Sequence, residues 1–108
     1  MQSLRLKRDF DKVFGKGRWL TTRNSPVKIK SLVEGELFEV GLILSRKTGN
    51  AVQRNKAKRQ VRSILREIYK NKVLCGKFAI IFTKQFVECT YEEKRDRISR
   101  IIQNSLHQ

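Results

Sequence analysis

The sequence predicts a single α/β domain over residues 1–108, an α+β sandwich in which helices cover a sheet. The stretches 25–33 and 37–45 have the patterns of strands, and a third apolar run at 78–83 has the length of a buried strand. Helical periodicity precedes, separates and follows these strands. A chain of 108 residues can bury one modest core, and no repeat or linker divides it.

The first predicted element is a short amphipathic helix over 7–16. Its apolar residues recur at spacings of four, three and one: Leu6, Phe10, Val13 and Phe14. Gly15 and Gly17 then provide the expected helix stop. Periodicity alone favours a core role for the two phenylalanines, but beside an RNA groove such rings also stack on unpaired bases.

The following stretch predicts strands. Residues 19–22 fit a short edge strand, and 25–33 alternate as a half-buried strand does. We expect 34–36 to turn the chain and the apolar run 37–45 to form the more central strand of a hairpin with 25–33.

Lys28 and Lys30 share one face of the alternating strand, opposite Val27 and Ile29. If that face is also lined by the aromatic residues of the first helix, cations stand beside aromatic rings. This is the composition of a groove that binds single-stranded nucleic acid.

The central stretch 46–70 predicts a long helix with Asn50 as N-cap and Asn71 near its end. One helical stripe is apolar: Ala57, Val61, Ile64, Leu65 and Ile68. The remaining surface is mostly cationic: Arg54, Asn55, Lys58, Arg59, Arg62 and Arg66. Beyond the helix, 78–83 predict a buried strand, which makes the helix a βαβ crossover if both flanking strands share a sheet. Thr90 and Glu93 then form a capping-box pattern before a C-terminal amphipathic helix that extends to Leu106.

The charge of the central stretch indicates a polyphosphate partner. It holds nine basic residues and one acidic residue, Glu67, in a chain of net charge +15. Charge runs are usually solvated surfaces, but solvated helices mix signs to gain favourable i,i+4 pairs. A one-signed face therefore favours nucleic acid over simple solvation.

Catalytic chemistry in the chain itself is not predicted. Hydrolysis of a phosphodiester needs metal-holding carboxylates or an acid/base pair, and the acidic residues do not cluster. The only histidine is His107, and Cys75 and Cys89 lack metal-ligand spacing and are expected to be reduced, buried thiols. No apolar run suits a bilayer span or a signal peptide, so no membrane partner and a cytoplasmic location are expected.

The central motif resembles the signature of the protein subunit of bacterial ribonuclease P. It is formed in order by Lys47, Thr48, Gly49, Asn50, Ala51, Val52, Gln53, Arg54, Asn55, Lys58, Arg59 and Arg62. Residues 7–14 with Gly17 and Arg18 resemble the opening helix of that family, and 40–47 resemble the strand that enters its signature. Five positions depart from the family pattern: Lys28, Glu39, Arg46, Thr48 and Phe78.

The resemblance implies fold and function together. The family has an αβββαβα order with a left-handed βαβ crossover, and its RNA subunit uses Mg²⁺ to cut precursor tRNA at the mature 5′ end. The protein subunit binds that catalytic RNA and the single-stranded 5′ leader, and it needs no obligate protein partner. Mg²⁺ is held mainly by the RNA.

Two sets of residues are thereby expected to bind RNA. Contact with the catalytic RNA is expected from Lys47, Asn50, Arg54, Asn55, Lys58, Arg59, Arg62 and Arg66. A leader-binding cleft is expected from Phe10, Phe14, Lys28 and Lys30, which reverses the preference for a pure core role of the phenylalanines. A small structural ribosomal-type RNA binder remains the alternative, and a cationic helix on an acidic membrane is weaker because the core needs the apolar stripe.

Overall fold

The computed structural model describes residues 2–3, 7–33, 38–71 and 76–106. In these ranges the elements are, in order, β1 (Gln2–Ser3), α1 (Lys7–Lys16), β2 (Arg18–Trp19), β3 (Val27–Leu32), β4 (Phe38–Ile43), a 3₁₀ turn (Arg46–Thr48), α2 (Ala51–Asn71), β5 (Gly76–Phe82), α3 (Lys84–Glu88) and α4 (Tyr91–Leu106). The predicted α/β class is confirmed. The αβββαβα order is kept, with β1 and the short α3 as additions that the sequence did not predict.

The strand order in the described sheet is β1-β4-β5-β3-β2. The predicted hairpin between 25–33 and 37–45 is therefore wrong, because β5 lies between β3 and β4. It pairs antiparallel with β3 and parallel with β4. Buried at five of its seven positions, β5 suits the centre of the sheet, where both faces are covered. The turn predicted at 34–36 lies outside the described residues.

The connection from β4 through α2 to β5 joins two adjacent parallel strands, so the predicted βαβ crossover is confirmed. Its left-handedness stays a prediction from the family resemblance. The edge strand predicted at 19–22 is shifted to β2, which pairs antiparallel with β3. After β2, Leu20 still donates its backbone N–H to the Ile29 carbonyl, and the Thr21 hydroxyl accepts from the Ile29 N–H.

One face of the sheet carries the main core. Val27 and Ile29 of β3 point to this face and are fully buried, as their alternation predicted. The apolar stripe of α2 packs there, since Ala57, Val61, Ile64 and Leu65 are buried and Ile68 packs against the cluster. From the chain's C-terminal part, the buried cluster includes Phe86, Ile98 and Ile102. The amphipathic predictions for α2 and α4 are therefore confirmed.

The opposite face of the sheet is covered in part by α1. Val13 is fully buried with Ala79 of β5, and Phe10 and Phe14 pack half-buried beside this pair. The helix includes Gly15 and ends before Gly17, so only Gly17 serves as the predicted stop. A Cβ atom at Gly17 would lie 2.3 Å from the Val13 carbonyl oxygen and 2.7 Å from that of Ser31. Glycine at this position therefore lets α1 turn closely into β2.

The N-terminus of α2 is closed by a reciprocal cap. The Asn50 side chain accepts from the Gln53 backbone N–H at 2.8 Å, and the Gln53 side chain accepts from the Asn50 N–H at 2.9 Å. The predicted N-cap is thus confirmed. Gly49 precedes it with φ near 148°, and a Cβ there would lie 2.6 Å from the Gln53 side-chain oxygen. Both facts favour glycine at that step.

A buried lysine, which the sequence did not predict, ties α4 to the rest of the fold. The side chain of Lys94 is 2 % exposed, and its ammonium donates to the Gln60 side chain and to the carbonyls of Val87 and Cys89 at 2.6–3.1 Å. Burial lowers the pKa of this ammonium. The charge is accepted because three oxygens replace its hydration shell.

The capping box predicted at the start of α4 is confirmed. Thr90 accepts from the Glu93 backbone N–H at 3.2 Å, and the Glu93 carboxylate accepts from the Thr90 N–H at 3.1 Å. The hydrogen bonds from the Thr90 backbone and hydroxyl lower the pKa of Glu93. Among the described helices, none is both long enough and apolar enough to cross a bilayer.

Candidate nucleic-acid interface

The outward side of α2 presents the predicted cationic face. Asn55, Arg59 and Arg66 are exposed, and Arg62 is half-buried. Their spacings of four, three and four residues place these four side chains along one stripe, which spans about 16 Å at 1.5 Å per residue. We call these four residues the α2 stripe. It points away from the sheet because the apolar stripe of the same helix faces it.

Two of the predicted RNA-binding residues lie at the border of the core. Arg54 and Lys58 are half-buried, since they occupy the shoulder of the helix next to Ala57 and Val61. The Nε atom of Arg54 is shielded from solvent and has no hydrogen-bond partner among the described residues. The interpretation of both side chains as part of the open surface was therefore only partly right.

The two remaining predicted residues of this set precede α2. Lys47 is exposed in the 3₁₀ turn, and Asn50 is exposed but uses its side chain for the cap. Thr48 between them is buried, and its hydroxyl donates to the Ser45 carbonyl at 2.6 Å. The turn thus holds Lys47 just before the N-terminus of α2, the helix that carries the α2 stripe.

No cation of α2 forms an ion pair with another residue in the described part of the chain. The ion pairs seen among the described residues join Lys77 to Glu39 at 3.8 Å and Lys84 to Glu88 at 4.0 Å, and neither involves α2. Like charges at i,i+3 and i,i+4 destabilise a helix by a few tenths of a kcal/mol each. Repulsion between these cations therefore destabilises α2 slightly, and a bound polyanion would neutralise it.

The second predicted surface lies on the other face of the sheet, beside α1. Lys30 of β3 is directly opposite Trp19 of β2, and its Nζ atom is 5.1 Å from the Trp19 ring centroid and 5.9 Å from that of Phe14. The same ammonium donates to the Phe14 carbonyl near the C-terminus of α1. Cation–π contacts and a helix C-terminus both stabilise a positive charge, so Lys30 joins α1, β2 and β3. The Lys30 ammonium thus already interacts with two aromatic rings and a carbonyl oxygen of the protein itself.

Lys28 lies one step along β3 on the same face, opposite Ile81 of β5. It lines a surface cavity of about 530 Å³ together with Trp19, Thr21, Thr22, Arg23 and Ile81. We call this space the Trp19 cavity. The structure therefore brings cations and aromatic rings together on the α1 face, as the alternation of β3 and the periodicity of α1 indicated.

Trp19 is the main residue that sequence reasoning missed at this surface. It is 46 % exposed, and its ring lies 6.4 Å from that of Phe14 at an interplanar angle of 53°. The sequence placed it in an edge strand without assigning it a contact. Its cross-strand pairing with Lys30 is the signal that would have put it on the α1 face, and that register depends on Gly17 ending the helix.

The described part of the chain offers few candidate ligands for a metal ion. No group of three or more His, Cys, Asp or Glu side chains there is placed to hold a metal ion. Mg²⁺ prefers clustered oxygen ligands, and the described carboxylates do not supply such a set. Cys89 is a free, half-buried thiol that donates to the Gln85 carbonyl, while Cys75 and His107 lie outside the described residues.

The sequence and the fold both match known ribonuclease P proteins. The family model described as Ribonuclease P matches residues 1–106. The ribonuclease P protein component of Bacillus cereus strain B4264 is 38% identical over 98 residues, which cover 90% of this chain and 84% of that protein.

Solved structures of RNase P proteins have the same fold as this chain. The RNase P protein of Staphylococcus aureus superposes with a TM-score of 0.84 at 21% identity, covering 97% of this chain and 95% of that one. The Thermotoga maritima RNase P protein gives 0.79 at 25% identity, covering 94% of both chains. The alternative of a ribosomal-type protein is therefore wrong, since these relatives are RNase P proteins. The match of the family model to residues 1–106 and the 38% identity to the Bacillus cereus protein show that the chain belongs to the ribonuclease P protein component family, which implies an RNA partner.

Proposed function

We propose that this chain assists an RNA subunit of ribonuclease P in removing the 5′ leader of precursor tRNA. The α2 stripe, with Lys47, Arg54 and Lys58 beside it, binds the catalytic RNA. The α1 face, with Phe10, Phe14 and Lys28, receives the single-stranded leader, while Lys30 holds that face together. Catalysis belongs to the RNA and to Mg²⁺ that it holds, in the cytoplasm.

The observation that carries this proposal is the presence of two different RNA-compatible surfaces on opposite faces of one sheet. A one-signed cationic helix suits the phosphates of a large structured RNA. Aromatic rings beside cations suit an unpaired strand, whose bases stack on them. A protein with this division can bind two RNA segments at once.

The test is a cleavage assay on precursor tRNA at low Mg²⁺ with three samples: the catalytic RNA alone, the protein alone, and both together. We expect cleavage at the mature 5′ end to be substantial only in the mixture. A second set of reactions uses a precursor whose leader is shortened to one nucleotide, for which we expect a smaller effect of the protein. Cleavage by the protein alone, or a protein that adds nothing at any Mg²⁺ concentration, would refute the proposal.

A further inference from the structure

The Trp19 cavity has the components of a site for one nucleotide. One wall is the exposed indole of Trp19, and Ile81 of β5 forms an apolar part of the lining. Arg23 and Lys28 supply two cations, and Thr21 and Thr22 supply hydroxyl groups. The volume of about 530 Å³ lies within the range of small-ligand sites, roughly 300–1,000 Å³.

The indole is held in place from one side. Lys30 pairs with Trp19 across the strands and places its ammonium near both the Trp19 and the Phe14 rings, while it donates to the Phe14 carbonyl. Lys30 does not line the cavity. The indole is therefore oriented by α1 and β3 before any ligand arrives, which lowers the conformational cost of stacking a base on it.

The charges around the cavity select an anionic ligand. Arg23 is exposed and Lys28 half-buried, and neither forms an ion pair with a described carboxylate. On this face the acidic Glu39 lies beyond Ala79, where it pairs with Lys77. A ring for a base and two cations for phosphate are the chemistry that recognises a nucleotide of single-stranded RNA.

We infer that the Trp19 cavity binds one unpaired nucleotide of the RNA strand that crosses the α1 face, with its base stacked on Trp19 and its phosphate near Arg23 and Lys28. The inference rests on the proposed function and adds a subsite and a residue to it. Trp19 thereby positions the RNA strand on the α1 face, at the end away from Phe14.

The chain contains one tryptophan, so its fluorescence reports on this cavity alone. The experiment titrates the full-length protein at low salt with a single-stranded RNA hexamer and with an abasic hexamer of the same backbone. We expect saturable quenching by the RNA hexamer, and binding of the abasic hexamer by anisotropy without comparable quenching. Equal quenching by both, or quenching by neither, would overturn the inference, and this test needs no variant to fold.

Variants separate stacking from charge. Trp19→Ala should weaken binding of the RNA hexamer about 5–150-fold, the range that loss of one stacked base implies, whereas Trp19→Phe should retain most of the affinity. Arg23→Gln should weaken both hexamers, and Arg95→Gln on α4 is the matched charge control that should weaken neither. Equal affinities of Trp19→Ala and the unchanged protein would remove Trp19 from the site.

Assays with the reconstituted enzyme distinguish failure of the Trp19 subsite from failure of the proposed function. If the protein stimulates cleavage of precursor tRNA but Trp19→Ala leaves the affinity for that precursor unchanged, the subsite is wrong and the proposed function stands. If the protein has no effect on cleavage, the proposed function fails, and quenching by the hexamer would then describe a single-strand site with another purpose.

Discussion

Neutralising two cations of the α2 stripe gives the most direct test of RNA contact. In Arg59→Gln/Arg62→Gln both side chains lose their charge but stay polar, because the shorter Gln amide can still form hydrogen bonds. Each phosphate contact contributes about 0.7–0.9 to the slope of log K against log[salt]. We therefore expect the slope for binding the catalytic RNA to become shallower by about 1.4–1.8, and the affinity at 0.1 M salt to fall about 25–60-fold.

The same substitution should stabilise the free protein. The double variant removes four like-charge pairs at i,i+3 or i,i+4 spacing: Lys56–Arg59, Arg59–Arg62, Lys58–Arg62 and Arg62–Arg66. At a few tenths of a kcal/mol for each pair, the free energy of unfolding should rise by about 0.8–2 kcal/mol. Thermal melting of the free protein measures this rise, and fluorescence anisotropy with labelled catalytic RNA from 50 to 400 mM KCl measures the slope.

The matched control is Arg95→Gln/Arg100→Gln on α4. Both of these side chains are exposed, and Arg100 shares its surface with Glu93 and Asp96. The two double variants remove the same charge from a net +15, so a long-range field would affect them equally. If both variants lower the slope by the same amount, net charge rather than contact explains binding, and the assignment of the α2 stripe is refuted.

Three further predictions concern other parts of the fold. Phe14→Ala should lower the enzyme's affinity for leader-bearing precursor about 5-fold or more and that for mature tRNA less; equal losses in a binding assay would return Phe14 to a purely packing role. Because the folded pKa of Glu93 is lowered, its stabilising contribution is present above the usual pKa near 4.5 and is lost as pH falls through the lower value. Glu93→Gln should therefore flatten the acid limb of melting temperature against pH, and an unchanged limb would contradict this. Lys94→Met leaves three oxygens without a donor and should cost about 2–4 kcal/mol in urea unfolding, against less than about 0.5 for the exposed Lys84→Met.

Local pattern was enough to predict much of this structure. The helix 7–16, the buried stripe of α2 and the alternation of β3 all follow from periodicity, because each depends on one element burying one face. The Asn50 cap and the Thr90–Glu93 box are likewise local. The hairpin failed because adjacency along the chain favoured β3 with β4, whereas the apolar β5, which comes almost fifty residues after β3, takes the place between them.

The candidate surfaces divide in the same way. The α2 stripe could be read from spacing, but the shoulder positions of Arg54 and Lys58 depend on how closely the helix packs. The contact of Lys30 with the Trp19 ring and the exposure of Trp19 depend on the strand register between β2 and β3. The burial of Lys94 was not predicted, because its three acceptors come from α2, from α3 and from the α3–α4 connection, which no local pattern brings together.

The central place of β5 also constrains when this protein can begin to work. During synthesis β3 and β4 emerge first, but their shared partner follows only after the whole of α2. Until then α2 has no complete sheet on which to bury its apolar stripe, and a cationic helix of 21 residues stands without its support. Native pairing therefore forms late, through contacts such as Val27 with Phe82 that span half of the chain. A nascent chain should accordingly acquire an organised α2 stripe only after β5 has been synthesised.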